Sequence, residues 1–441
     1  MISTEELYNL YKKCTGVTTD SRTVKEGCMF FALKGDKFDG NDFAVKALHN
    51  GAKYAVVDRV SLEGESVKGH KCILVENVLV TLQKLAAFHR SQFDIPVVGI
   101  TGTNGKTTTK ELVAAVLSRK FNIVATQGNF NNHIGVPLTL FRITERTEMA
   151  VVEMGASHPG EIESLASIVQ PTCGLITNVG KAHLLGFGSF DGIKKTKGEL
   201  YDYLRQKGGL AFYNADNPHL CEMVRHRQGL RTMKYGVKYQ DVKTISPTLD
   251  SPFLKMTVPG VSGEMTISTK LIGDYNTDNV LAALCVGTHF EVPATEGVLA
   301  IESYFPTNSR SQFVRTSYNM LIIDAYNANP TSMGAALENF GSIEFKDKML
   351  ILGDMLELGE DSLSEHKAVL AKAVKTAGTV LLVGKEFGKI HHSIPHGSTE
   401  LKHFDNADLL KDYLRENPVS NRTILIKGSN GIRLQSIIDV L

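Results

Sequence analysis

The chain has 441 residues, 42% hydrophobic and 22% charged, a balance that excludes a single small module or a disordered chain and leaves room for roughly three domains. Its 48 lysines and arginines face 47 aspartates and glutamates, so a formal charge of +1 offers no broad field for nucleic acid or an anionic membrane. Any bound phosphate must be held locally, by a few residues in a built site.

At the N-terminus, MISTEELYNLYKKCT lacks a basic leader ahead of an apolar stretch, and no apolar run in the chain approaches the ~18 residues that span a bilayer. An unprocessed cytoplasmic protein is expected. Cysteines 14, 28, 72, 173, 221 and 285 form no C-x-x-C pair and no zinc-spaced cluster, which predicts reduced thiols. Residues 1–92 mix short apolar runs (29–33, 54–57, 72–75) with helical stretches, the clearest at 77–91, and read as a small α/β domain. Pro96, in Phe93-Asp94-Ile95-Pro96, ends that helical text and sets the first boundary.

A second domain, 93–309, opens as strand, Gly-rich turn and helix: VVGIT, GTNGK, then TTTKELVAAVLSRK with Leu112, Val113, Val116 and Leu117 on one face. Apolar runs at 149–152, 174–177 and 210–213, separated by helix-length segments, predict a doubly wound, mostly parallel sheet. Between 231 and 272 the alternation of polar and apolar residues, as in FLKMTVPG and GEMTIST, predicts inserted antiparallel strands before a helix at 277–286. The third domain, 310–441, repeats strand and helix with LIID, MLILG, TVLLVG and TILIKG, a Rossmann-like pattern. Ligands of such sheets sit outside the carboxyl ends of the strands, which here carry Asp324, Asp354, Lys385 and Lys427.

The strongest local signal for chemistry is Thr101-Gly102-Thr103-Asn104-Gly105-Lys106-Thr107-Thr108, between a predicted strand and a predicted helix. Glycines let backbone N–H groups converge on phosphate oxygens, the helix N-terminus adds positive potential, Lys106 reaches the β and γ oxygens, and Thr107 offers a hydroxyl to Mg²⁺. The generic G-x-x-x-x-G-K-[ST] spacing is not met, because position 100 is Ile; a Gly-rich turn with a chance lysine is the bland alternative. Glu153, emerging after MAVV, is placed to bind Mg²⁺ if the loop binds nucleotide, and otherwise reads as a solvated residue or a cap. His183, in Thr177-Asn178-Val179-Gly180-Lys181-Ala182-His183, is either a ligand or a structural histidine. The lysines of 194–197 read as a solvated helix face unless one of them is buried. Asp324-Ala325-Tyr326-Asn327-Ala328-Asn329-Pro330 at a strand's carboxyl end suits ligand binding and equally suits an Asx-rich turn.

Taken together these residues resemble the Mur ligases, ATP-dependent amide ligases of peptidoglycan precursor synthesis. The likeness rests on TDSR (19–22), FFALKGDKFDGNDF (30–43), TGTNGKTTTKE, GNFNNHIGVP (128–137), EMGASHPGEI (153–162), AHLLGFGSFDGIKKTKGE (182–199), DAYNANPTSM, LGDMLELG (352–359) and KGS (427–429), in family order. It implies a three-domain Mur ligase architecture with a small N-terminal α/β domain, a central P-loop ATPase-like mostly parallel sheet and a C-terminal Rossmann-like domain. It also implies an acyl phosphate made from ATP and captured by an amine. Within the family the sequence is most similar to the members that add D-alanyl-D-alanine to UDP-N-acetylmuramoyl-tripeptide. Sister ligases or folylpolyglutamate synthases, which add single amino acids, are alternatives, as is a P-loop ATPase switch. A folylpolyglutamate synthase leaves residues 1–92 unexplained.

Carried over by motif position, the resemblance implies that Thr107 and Glu153 bind one Mg²⁺ and His183 a second, with Lys197 carbamylated and facing the metal. Catalysis would rest on Lys106, His183 and Lys197. ATP would meet Gly102 through Thr108, Asn276 and Asn279 around adenine, and Arg310 and Asp324 from the third domain. The UDP-sugar end would meet Ser21, Arg22, Lys34, Gly35 and Phe38, continuing through Asn131, Asn132, Ser157 and His158, with Tyr326, Asn327 and Asn329 nearer the dipeptide. Pro306-Thr307-Asn308-Ser309-Arg310 replaces the family's usual P-G-R, and Tyr275 stands where His is usual. No nucleic acid or membrane partner is expected, and a monomer is.

Overall fold

Ser3 starts the first helix, Thr4–Tyr11, through a capping box: its Oγ accepts from the Glu6 N–H while the Glu6 carboxylate accepts from the Ser3 N–H. The computed structural model describes residues 2–59, 71–248, 251–260, 263–307, 310–345 and 347–441. Leu7 and Tyr8 of the first helix are buried, and the Tyr8 hydroxyl lies 3.2 Å from His89 Nδ1 on the helix Val78–Ser91. That helix begins where Asn77 accepts the Val80 N–H, so the expected 77–91 helix is present with Asn77 as its cap. Four parallel strands, Val17–Thr18, Met29–Phe31, Tyr54–Val57 and Cys72–Leu74, form the sheet of this unit in that order.

Arg90 makes the passage into the second unit rigid. Its guanidinium is buried and donates to the carbonyls of Phe93 (2.6 Å), Ile95 (3.1 Å) and Val169 (3.3 Å), satisfying a turn that Pro96 cannot help to satisfy. Beyond it lies a six-stranded, wholly parallel sheet. Its order is Arg231–Tyr235, Leu210–Asn214, Cys173–Ile176, Val97–Thr101, Met149–Glu153 and Ile123–Ala125. Leu112, Val113, Val116 and Leu117 of the helix Lys106–Leu117 are buried, as their spacing predicts.

One expectation fails here. Residues 231–235 do not belong to an antiparallel insert; they form the sixth strand of the central sheet, parallel to Leu210–Asn214. The helix Pro218–Arg225 intervenes and makes the crossover that a parallel neighbour requires. As an edge strand it is largely exposed, which is why its text alternates like that of a half-solvated antiparallel strand. The antiparallel sheet itself comprises Lys243–Ile245, Phe253–Gly260 and Gly263–Ile272.

The third unit is a six-stranded sheet ordered Gln312–Arg315, Met320–Asp324, Thr423–Lys427, Lys348–Gly353, Thr379–Val383 and Glu400–Phe404, parallel except for its first edge strand. Two strands were not read from the sequence. Glu400–Phe404 (ELKHF) is polar and partly exposed because it is an edge, and Gln312–Arg315 carries too little apolar text to stand out. TILIKG is followed by the short 3₁₀ segments Asn430–Ile432 and Leu434–Val440 in place of an α-helix. Among the described residues no helix is long and apolar enough to cross a membrane, and all six cysteines are free.

Candidate functional site

The carboxyl ends of three adjacent central strands set the site. Ile100 is in register with Glu153, and Thr101 with Ile176, so the glycine loop, Glu153 and the segment after Ile176 emerge side by side. Gly102 (φ +143°) and Gly105 (φ +77°) are obligatory: a Cβ at the first would overlap the Thr177 hydroxyl, and at the second the Asn279 amide. Asn104, at the loop's tip, donates its N–H to Asn178 Oδ1 (3.0 Å), and its carbonyl accepts from Thr177 Oγ1 (2.6 Å) and Asn178 Nδ2 (3.1 Å). Thr103 Oγ1 bonds the Gly180 carbonyl at 3.3 Å. The loop is thus shaped before any ligand arrives.

Lys106 begins the helix and folds back, donating its Nζ to the carbonyls of Gly102 (2.7 Å) and Thr103 (3.0 Å). Desolvation lowers its pKa to about 8, opposed by Glu153 and reinforced by Arg310. Beside it, Glu153 is fully buried; Oε1 accepts from Asn131 Nδ2 at 2.7 Å, while Oε2 has no partner. The buried Thr107 Oγ1 is likewise unpartnered. Two orphaned oxygens, one of them a carboxylate's, are costly without a cation and suit a hard ion such as Mg²⁺, which uses few protein ligands and phosphate oxygens. Among the described residues no group of three or more His, Cys, Asp or Glu side chains converges as a metal centre.

His183, at φ +50°, pairs through Nδ1 with Glu357 of the third unit; burial lowers its pKa and Glu357 partly offsets this. Lys197 is the buried member of the lysine run. Its helix, Phe190–Lys207, is capped by Ser189, and its Nζ lies 3.3 Å from the Ala156 carbonyl and 5.3 Å above the Phe187 ring. Burial, then the nearby Lys106 charge, lower its pKa to about 7. Lys194 is part-buried and pairs with Glu222 at 2.7 Å, while Lys195 is exposed, so the solvated-face reading holds for Lys195 alone.

Asn276 and Asn279 interlock: Asn279 Nδ2 donates to Asn276 Oδ1 (2.8 Å), and Asn279 Oδ1 accepts from Thr109 (3.0 Å). From the third unit, the Arg310 guanidinium lies 3.9 Å from the centre of the Tyr326 ring, and Asp324 pairs with its in-register neighbour Lys427. Lys427 also donates to the Asn327 carbonyl at 3.3 Å. These groups and the loop line one cavity of about 740 Å³, with Thr108, Asn131, Asn132, Ser157, Glu153 and His183 on the central side. Asn308 and Ser309 of the 306–310 motif lie outside the described residues.

The first unit's candidates are not part of this cavity. Arg22 pairs with Asp20 and Lys34 with Asp58, while Gly35 and Phe38 close a two-residue ribbon with Phe38 58% exposed. Ser21 is also absent from the cavity wall, as is His158, whose Nδ1 lies 3.1 Å from Ser157 Oγ. Asn329 is likewise absent from the cavity wall; it is a buried helix cap bonded to Asn104, a structural task that its Asx-turn alternative anticipates. Thr177, Asn178 and Glu357 carry no role that the sequence predicts. The first two lay in a quoted motif; Glu357 lay in LGDMLELG, a motif noted for resemblance alone.

Comparison with known proteins agrees with this layout. Residues 13–90 match the model of the Mur ligase family catalytic domain, 100–287 the Mur ligase middle domain, and 309–430 the Mur ligase glutamate ligase domain. The UDP-N-acetylmuramoyl-tripeptide--D-alanyl-D-alanine ligase of Bacillus subtilis is 35% identical, the alignment covering 96% of this chain and 92% of the relative. The crystal structure of MurF from Acinetobacter baumannii superposes with a TM-score of 0.85 at 28% identity, covering 99% of this chain and 98% of that one. MurF ligase from Thermotoga maritima, solved with ADP, gives a TM-score of 0.81 at 27% identity over 96% of each chain.

Proposed function

The chain belongs to the Mur ligase family, and on that premise we propose that it joins D-alanyl-D-alanine to UDP-N-acetylmuramoyl-tripeptide, using ATP. The observation that carries the site reading is the pair of buried, unpartnered oxygens, Thr107 Oγ1 and Glu153 Oε2, with Glu153 and Lys106, the residue before Thr107, lining a cavity shared by two domains. In this reading residues 1–92 bind the UDP-sugar, 93–309 hold ATP, and 310–441 complete the nucleotide site and receive the dipeptide.

A carboxylate is a poor electrophile, so the tripeptide's terminal carboxylate first attacks the γ-phosphorus of ATP, releasing ADP and leaving an acyl phosphate. The dipeptide amine then attacks the acyl carbon, and the tetrahedral intermediate expels phosphate. The N–H groups of residues 105–107, at the helix N-terminus, would cradle the phosphates, since those of Thr103 and Asn104 are already held by Asn178. Lys106 would leave its two carbonyl partners to follow charge onto the transferred group, while Arg310, held on Tyr326, would supply a second cation from the third domain. Thr107 and Glu153 would hold one Mg²⁺, and His183 with a Lys197 carbamate a second, supplying charge neutralisation at the triphosphate. Lys197 suits that modification because CO₂ adds only to a neutral amine, releasing one proton, and a pKa of about 7 leaves much of the amine neutral near pH 7.

Asn276 and Asn279 would border the adenine, and Tyr326 and Asn327 the dipeptide. Ser21, Arg22, Lys34, Gly35, Phe38, Asn131, Asn132, Ser157 and His158 would follow the UDP-sugar and peptide. We read the enzyme as a monomer, acting in the cytoplasm on nucleotide-linked precursors.

The test is one incubation series with ATP, Mg²⁺ and the UDP-muramyl-tripeptide, offering either D-alanyl-D-alanine or single amino acids and following product mass. Product with the dipeptide alone supports the reading. Product with single amino acids alone moves the chain to a sister activity, and ATP hydrolysis without any joined product would make it an ATPase.

A further inference from the structure

We propose that Glu357 is a positioning residue for His183, reaching across the domain boundary to fix which ring nitrogen is free. The inference rests on the reading of His183 as a metal ligand. A carboxylate only accepts hydrogen bonds, so its pairing with Nδ1 puts the ring proton there and leaves Nε2 as a bare lone pair. Nε2 makes no hydrogen bond among the described residues, and the ring lines the cavity that holds Lys106 and Glu153. A histidine that binds a metal through one nitrogen needs its other N–H held by an acceptor, and Glu357 is that acceptor.

The backbone carries a second, independent sign. His183 (φ +50°) and Glu357 (φ +66°) are both non-glycine residues in the left-handed region, a conformation disfavoured for L side chains. Each of two segments bends unfavourably at the residue that meets the other. Such outliers persist where surrounding structure over-determines them and are concentrated at working sites. The flanking contacts hold the two segments together: Lys181 Nζ lies 3.0 Å from Glu365 Oε1, and Leu185 rests over Gly359. Glu357 and Glu365 belong to the third domain, His183 and Lys181 to the second. Glu357 can therefore orient His183 only while the two domains are in contact, which links that contact to the competence of the ligand.

The proposal is tested on the full-length enzyme labelled with ¹⁵N in its histidine rings, metal-free, with His183→Gln identifying the His183 signals. We expect proton-bearing Nδ1 and bare Nε2 in the wild type, the same pattern in Glu357→Gln, whose amide oxygen still accepts, and conversion towards the Nε2–H form in Glu357→Ala. The Mg²⁺ concentration giving half-maximal turnover should rise about tenfold or more in Glu357→Ala and recover in Glu357→Gln. An unchanged ring pattern in Glu357→Ala overturns the proposal, as does an unchanged Mg²⁺ requirement there when His183→Gln raises it. If His183→Gln leaves the requirement unchanged, the ligand reading of His183 fails, and the proposal fails with it for that separate reason.

Discussion

The side-chain amide of Asn329 serves two partners at once. Its Oδ1 caps the helix Pro330–Ser342 by accepting the Ser332 N–H (2.9 Å), and its Nδ2 donates to Asn104 Oδ1 (2.7 Å) at the tip of the phosphate loop. A helix of the third domain is thereby tied to the loop of the second.

The two halves of that amide are separable by mutation. Asn329→Asp keeps the capping oxygen and loses the donor, so thermal stability should stay near wild type while KM for ATP rises. Asn329→Ala loses both and should also cost about 1 kcal/mol of stability. Thermal melts read beside ATP titrations check this; equal KM values in Asp and Ala variants with wild-type KM would dismiss the link.

Thr107→Val removes a buried hydroxyl that has no partner. The metal-free protein should be as stable or up to about 1 kcal/mol more stable, since an unsatisfied polar group is lost. Turnover should fall roughly a hundredfold or more. A clear loss of stability in urea unfolding without Mg²⁺ would mean that the hydroxyl has a partner after all.

Lys197 makes stability depend on pH with a definite sign. Its folded pKa is lowered to about 7 by burial, against about 10.4 for a free lysine. Below pH 7 the amine is charged in both states and the burial cost is fully present. Between about pH 7 and 10.4 the folded state sheds its proton first, so stability rises with pH, at most by about 1.4 kcal/mol per unit. In CO₂-free buffer, Lys197→Met should therefore gain most over wild type near pH 6.5, and the gap should narrow by about pH 9.5. A gap that stays constant across urea melts would refute the low pKa.

Tyr326 is expected to act through Arg310. Tyr326→Phe keeps a ring under the guanidinium and should leave KM for ATP close to wild type, whereas Tyr326→Leu forfeits about 0.5 to 2 kcal/mol and should raise it roughly twofold to thirtyfold. If Phe and Leu behave alike in initial-rate measurements, the ring is not a platform.

The sequence made some of this legible because local chemistry decided it. VVGIT, the Gly-rich turn after it and the apolar face of Lys106–Leu117 are fixed by burial and backbone geometry within a few residues, and each is legible in the sequence. The edge strands Arg231–Tyr235 and Glu400–Phe404 were mistaken or missed because an edge is solvated, and a solvated strand loses the continuous apolar text of a parallel core. The burial of Lys197 but not Lys194 or Lys195 depends on which helix face meets the sheet. Glu357 could not be read at all, since its partner lies 174 residues earlier on another domain. Long-range pairings of that sort leave no periodicity behind them.

Arg310 lies two residues before the edge strand Gln312–Arg315 and stacks on Tyr326, two residues past the neighbouring strand Met320–Asp324. It is thus a mechanical passenger of the carboxy-terminal sheet, while Lys106 rides on the central one. In the proposed reaction, then, neither half would own a complete grip on the triphosphate. A fragment stopping at residue 305 would keep a cradle without its opposing arm, and a compound able to wedge the two halves apart would disable the enzyme without touching the cradle.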